Sequence, residues 1–189
     1  MGRRPWQCYS HWSGAGYQRK RSHKKDLVRG GADVRIRLYN VGQKEAPIDS
    51  WDCAIGLICN RQRQLSDFCL EALRTSVNRT LIRDLGKERF HMIIRTHPWN
   101  VYRENKMMAF AGADRLQTGM RHSFGKCVGH AARVRAGQLV VELRINLKDL
   151  EKGKEAMKVA SYKITSGSRL ISLWSKTPEI AKKIGLQTE

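Results

Sequence analysis

Along the first third of the chain, Val34, Ile36 and Leu38 alternate with Arg35, Arg37 and Tyr39, and this period of two predicts a half-buried strand with a basic outer face. From Leu65 the period lengthens to that of a helix. Leu65, Phe68, Cys69 and Ala72 fall on one side, and Leu73, Val77 and Leu81 widen the apolar face. Ser66 is placed to cap this helix, Asp67 suits the positive end of its dipole, and Gly86 supplies a left-handed stop. Phe90, Met92 and Ile94 predict a second strand that ends before Pro98, and residues 101–107 a third.

Residues 108–130 break both periods, with Gly112, Gly119, Gly125 and Gly129 as punctuation, so a long loop is expected there. Alternation returns in Leu139, Val141, Leu143 and Ile145 after a turn at Ala136-Gly137-Gln138, which predicts a hairpin. A second helix is expected over about 149–164, although Gly153 inside it costs roughly 1 kcal/mol relative to Ala. Residues 170–174 read as a last strand, and no pattern follows Pro178. Strands and helices joined at hairpin length give an α+β domain with a mostly antiparallel sheet and two helices. Its expected limits are 32–175, preceded by an extended basic RNA-binding arm over 1–31 and followed by a tail over 176–189.

Charge narrows the function. The 189 residues hold 36 Lys and Arg against 17 Asp and Glu, a formal charge of +19, which points to a polyanionic partner. The excess is concentrated: residues 1–30 carry eight bases and one acid, and residues 115–141 carry five bases and no acid. With 41 % hydrophobic residues the chain still has enough apolar content for a core. No stretch reaches the roughly 18 apolar residues of a membrane span, and no signal segment opens the chain, so a soluble protein without a membrane partner is expected. Five cysteines, at 8, 53, 59, 69 and 127, are expected as reduced thiols.

Enzyme and metal chemistry find little support. Gly125-Lys126 looks like the end of a phosphate-cradling Walker motif, but the earlier glycine position holds Met120 and the following hydroxyl position holds Cys127. Cys8 with His11, and Cys127 between His122 and His130, lack the second close pair that a zinc site requires. A nucleophilic Cys127 beside either histidine rests on residue type alone. No catalytic residue, metal or cofactor is therefore assigned.

The binding signals agree with one another. Arg35 and Arg37 share one strand face and Arg133 and Arg135 another, both suited to tracking phosphates. In the arm, Trp6, Tyr9, Trp12 and Tyr17 lie among Arg3, Arg4, Arg19, Lys20 and Arg21, and aromatic faces stack on unpaired nucleobases for about 1–3 kcal/mol each. Each ring has an equal alternative, packing on its own domain.

Several segments resemble a universal large-subunit ribosomal protein family, called L-sixteen in bacteria and L-ten in eukaryotes. They are Met1-Gly2-Arg3-Arg4-Pro5, Ala32-Asp33-Val34-Arg35-Ile36-Arg37, Phe90-His91 with Arg95-Thr96-His97-Pro98, Asn105-Lys106-Met107, and the block from Ala111 to Arg121. That block is similar to the archaeal and eukaryotic branch. The resemblance runs from residue 1 to about 146 and is weakest between Pro47 and Gln64. It implies an α/β-hammerhead-like α+β fold bound to large-subunit rRNA near the aminoacyl-tRNA site. An internal loop, 106–127 here, is implied to extend toward the peptidyl transferase centre with Lys106, Arg115, Arg121 and Lys126 as cationic contacts, and His97 joins the RNA-facing set.

The same resemblance implies neighbouring ribosomal proteins and assembly and export factors as partners, a role late in subunit assembly, and a cytoplasmic location in the large subunit after a nuclear or cytoplasmic assembly stage. It implies no catalytic residue, because peptide-bond catalysis in this family's setting belongs to RNA. The alternative reading is a free RNA-binding or RNA-modifying protein. Departures from the family pattern are His122-Ser123 in place of small residues, Cys127-Val128 in place of a proline-containing step, and a divergent region after Asn146.

Overall fold

The computed structural model describes residues 4–12, 14, 16–18, 28, 30–105 and 123–185. In chain order its elements are α1 (Gln7–Ser10), β1 (Asn40–Gly42), β2 (Cys53–Cys59), β3 (Arg63–Ser66), α2 (Asp67–Leu85), β4 (Phe90–Ile94), β5 (Asn100–Glu104), β6 (Lys126–Val134), β7 (Leu139–Ile145), α3 (Leu150–Ser161), β8 (Ser168–Ser175) and α4 (Pro178–Ile184). The strands form two antiparallel sheets, one of five strands in the order β1-β4-β7-β2-β8 and one of three in the order β3-β6-β5. The class is α+β, as the pattern predicts.

Three chain segments pass from the large sheet to the small one side by side. β2 continues into β3, β4 into β5, and β7 is preceded by β6. At this junction Gly137, with φ 78°, donates its N–H to Cys59 O, and Arg95 donates its N–H to Val140 O. The expected hairpin at Ala136-Gly137-Gln138 is thus corrected. β6 and β7 lie in different sheets, and the turn between them bends the path from one sheet into the other. β7 pairs instead with β2 and β4.

Helix α2 follows its sequence signals. Ser66 Oγ accepts the Cys69 N–H at 3.1 Å, and the Gly86 N–H closes the helix on Ile82 O. Leu70, Leu73, Val77, Leu81 and Leu85 point into the core, where they join Phe90, Met92 and Ile94 of β4 and Leu143 and Ile145 of β7. Phe68 and Ala72 depart from the expected apolar face and are exposed, because they lie on the side of the helix opposite Leu70, Leu73 and Val77. α3 buries Gly153, Ala156, Met157 and Ala160. A Cβ at Gly153 would stand 2.4 Å from Ile145 Cδ1, so the glycine permits the helix to approach β7.

The alternating segment at residues 34–38 does not form a strand. Ile36 is buried, but Leu38 is exposed, and the Arg35 N–H is satisfied by Asp67 Oδ2 at 3.0 Å rather than by a ladder. The edge strand begins later, at Asn40, against Ile93. β6 starts at Lys126, so the expected loop to residue 130 ends five residues early. Gly129 lies inside that strand opposite Tyr102, and the position suits glycine because a Cβ there would stand 2.6 Å from the Tyr102 hydroxyl. Past the point where the sequence shows a pattern, Pro178 opens α4 and Ile184 is buried.

Candidate nucleic-acid interface

The described part of the arm folds back on the small sheet instead of extending freely. Trp6 Nε1 donates to Gln64 O at 3.1 Å, and Gln64 Nε2 donates to Tyr9 O at 3.0 Å and His11 O at 3.2 Å. Further along, Gln18 bridges Asn100, and the Val101 N–H donates to Tyr17 O at 2.7 Å. Trp6, Tyr9 and Tyr102 form a ring cluster with centroids 5.0–5.8 Å apart. Arg4 Nε reaches Glu104 Oε1 at 3.1 Å. Burial first, and then the Glu104 carboxylate, push the Tyr9 phenol up to about 12, so this hydroxyl keeps its proton at any physiological pH.

Glu104 ends β5, and Lys126 opposite it opens β6, so these two mark the neck of the expected internal loop. Arg103 fills the corner between two rings set at 87°, its guanidinium carbon 4.1 Å from the Tyr17 centroid and 3.8 Å from that of Phe124. Gly125 packs against the backbone of Glu104 and Asn105, where a Cβ would stand 2.5 Å from Glu104 C. Lys126 is exposed.

The two arginine pairs differ in freedom. Arg35 lies over the Phe68 ring at 5.0 Å with its head exposed, and Arg37 is exposed. Arg133 is partly enclosed: it donates to Gly14 O at 3.1 Å and lies 4.9 Å from the Trp12 ring centroid, which fixes the arm to β6. Arg135 is exposed beyond the end of β6. His97 sits between Tyr39 and Trp99, with ring centroids at 4.2 Å and 5.6 Å. Arg3, Arg19, Lys20, Arg21, Lys106, Arg115 and Arg121 lie outside the described residues.

Sequence reasoning misses Arg103, Phe124 and Gln64. Arg103 has a readable signal, since alternation in β5 places it opposite the buried Tyr102. Gln64 has none, because the short strand β3 carries no pattern of its own. Among the described residues no group of three or more His, Cys, Asp and Glu is placed to hold a metal ion, and no helix is long and apolar enough to cross a membrane. His130, considered as a partner of Cys127, is buried with Nε2 at 3.1 Å from Ala32 O.

Residues 16–171 match the family described as ribosomal protein L16p/L10e. The chain is also 40 % identical over 171 residues to the large ribosomal subunit protein uL16 of Dictyostelium discoideum, an alignment that covers 90 % of this chain and 76 % of that relative.

Proposed function

Because the chain belongs to the ribosomal protein L16p/L10e family, we propose that it is a structural constituent of the large ribosomal subunit that binds rRNA near the aminoacyl-tRNA site. In this reading the loop of residues 106–127 extends toward the peptidyl transferase centre, and the protein supports translation and late subunit assembly. The observation that carries it is the family match, which spans the whole small sheet and both long helices. Exposed Arg35, Arg37, Lys126 and Arg135 support it as phosphate contacts, and so does the +19 charge.

The arm has a double role here. Trp6, Tyr9 and Arg133 hold it on the sheet by contacts within the chain, and Arg3, Arg19, Lys20 and Arg21 meet RNA. Large-subunit rRNA and adjoining ribosomal proteins are the stable partners, aminoacyl-tRNA a neighbour, and assembly and export factors transient ones. The working location is the cytoplasmic large subunit. No residue carries a catalytic role.

Sedimentation of a tagged copy through a sucrose gradient tests this. Comigration with large subunits and polysomes that survives a moderate salt wash is expected. A peak confined to the top of the gradient would favour the free RNA-modifying alternative.

A further inference from the structure

Phe124 stands two residues before β6 and is 64 % exposed, although its ring is braced by two neighbours. Arg103 covers one face, and Tyr17 meets it nearly edge-on. A large ring held rigidly in solvent, with the opposite face open, is a preformed stacking surface, since little side-chain freedom is lost when a second ring lands on it.

We propose that the open face of Phe124 takes one unpaired nucleobase of an RNA, with Lys126 meeting the adjoining phosphate. The surrounding charge selects this occupant. Arg103 covers the ring, the exposed Lys126 follows two residues later opposite Glu104, and that acid is already engaged by Arg4. Residues 115–141, Lys126 included, carry five bases and no acid. A nucleotide offers a π face and a negative charge in one covalent unit, whereas an apolar side chain of a partner protein would leave the cations uncompensated. Arg103 also stiffens the platform from below, because its guanidinium is held against two ring faces.

This inference rests on the proposed rRNA-binding role. It is tested with the full chain and a uridine-rich single-stranded RNA carrying 2-aminopurine, whose fluorescence falls on stacking. The wild type and Phe124→Tyr are expected to quench it equally. Phe124→Leu should lose the quench and weaken binding by about 5- to 150-fold, the range for one base on one aromatic ring, with the salt dependence unchanged. Lys126→Ala should keep the quench and reduce the salt slope by about 0.7, the value for one phosphate on a single strand.

Thermal melting of each variant confirms that the fold persists, and if Phe124→Leu unfolds, Lys126→Ala, which leaves the ring in place, still tests the inference: a salt slope equal to that of the wild type would overturn it. Equal affinity and quench for wild type and Phe124→Leu would overturn the inference while leaving the rRNA-binding role standing. Normal RNA binding by Phe124→Leu combined with exclusion from subunits would overturn it in favour of a protein neighbour. Absence of RNA binding by the wild type itself, with no comigration on the gradient, would remove both.

Discussion

His91 on β4 stands directly opposite Arg144 on β7. Burial, and then the Arg144 charge, hold the imidazole below its ordinary value near 6.5, with Arg95 and Lys44 acting in the same direction and Glu142 against them. Neither ring nitrogen has a hydrogen-bond partner among the described residues. On acidification the unfolded chain therefore takes up a proton that the folded chain resists, and stability falls as the pH drops below about 6.5. His91→Leu is expected to flatten the melting temperature between roughly pH 7 and 5.5, where an unmodified histidine titrates. An unaltered slope would show that this histidine does not set the acid sensitivity.

Glu142 lies in a different pH window. Its burial alone would raise the carboxyl, but hydrogen bonds from Arg144 Nε at 2.7 Å and Arg95 Nε at 2.8 Å outweigh burial and hold it below the ordinary 4.5. The stability it contributes is complete above that value and is lost as the pH falls through the lowered one. Glu142→Gln leaves the buried Arg144 uncompensated and should cost about 3 kcal/mol at neutral pH. Arg95→Ala should cost no more than about 1 kcal/mol, because that side chain is half-exposed. Denaturant titrations of both variants measure the difference, and equal losses would contradict the assignment of Arg144 as the dependent partner.

Gly153→Ala separates helix propensity from packing. An alanine in an isolated helix would gain about 1 kcal/mol over glycine. Here the new methyl meets Ile145 Cδ1 in a filled core, and overpacking of that kind costs about 1–3 kcal/mol. The net effect expected is destabilisation. Ile145→Val removes the obstructing atom, so the same alanine should cost less in that background, and a double-mutant cycle reads the coupling.

Replacing Arg115 and Arg121 together with alanine probes the internal loop. Both lie outside the periodic apolar pattern, so the stability of the isolated protein should change by no more than about 0.5 kcal/mol. Under the proposed function the variant still enters subunits but matures slowly or places aminoacyl-tRNA poorly. Thermal unfolding, subunit incorporation and the accommodation rate on purified ribosomes are measured together. Unchanged maturation and accommodation would make the loop a passive connection.

Elements with a strong local period are legible in the sequence itself. Ser66 and Gly86 bound α2 because capping is decided within a few residues, and Phe90, Met92 and Ile94 mark β4 because alternate positions face one core. β2 is hidden for the opposite reason. All seven residues from Cys53 to Cys59 are buried, so the strand has no polar alternation to reveal it. With β2 hidden, the short turn at Ala136-Gly137-Gln138 favours the sequence neighbour as the partner of β7, and a β6–β7 hairpin becomes the natural expectation. At the candidate interface, charge and aromatic content are legible, but the fixation of Trp6, Tyr9 and Arg133 by the chain itself depends on residues such as Gln64, 55 and 58 positions away from its arm partners.

The side-by-side passage of three segments between the sheets also determines how the molecule must assemble. A cut between the two sheets would sever the chain at four places, between β2 and β3, β3 and β4, β4 and β5, and β6 and β7, so neither sheet is an autonomous folding unit from which a fragment could be released intact. Ser66 pairs with Ala131, and the Cys53 thiol meets the Ile145 carbonyl 92 positions away. Contacts this remote close late, which places the chain among slow, cooperative folders that expose unpaired strand edges until most of the sequence has collapsed.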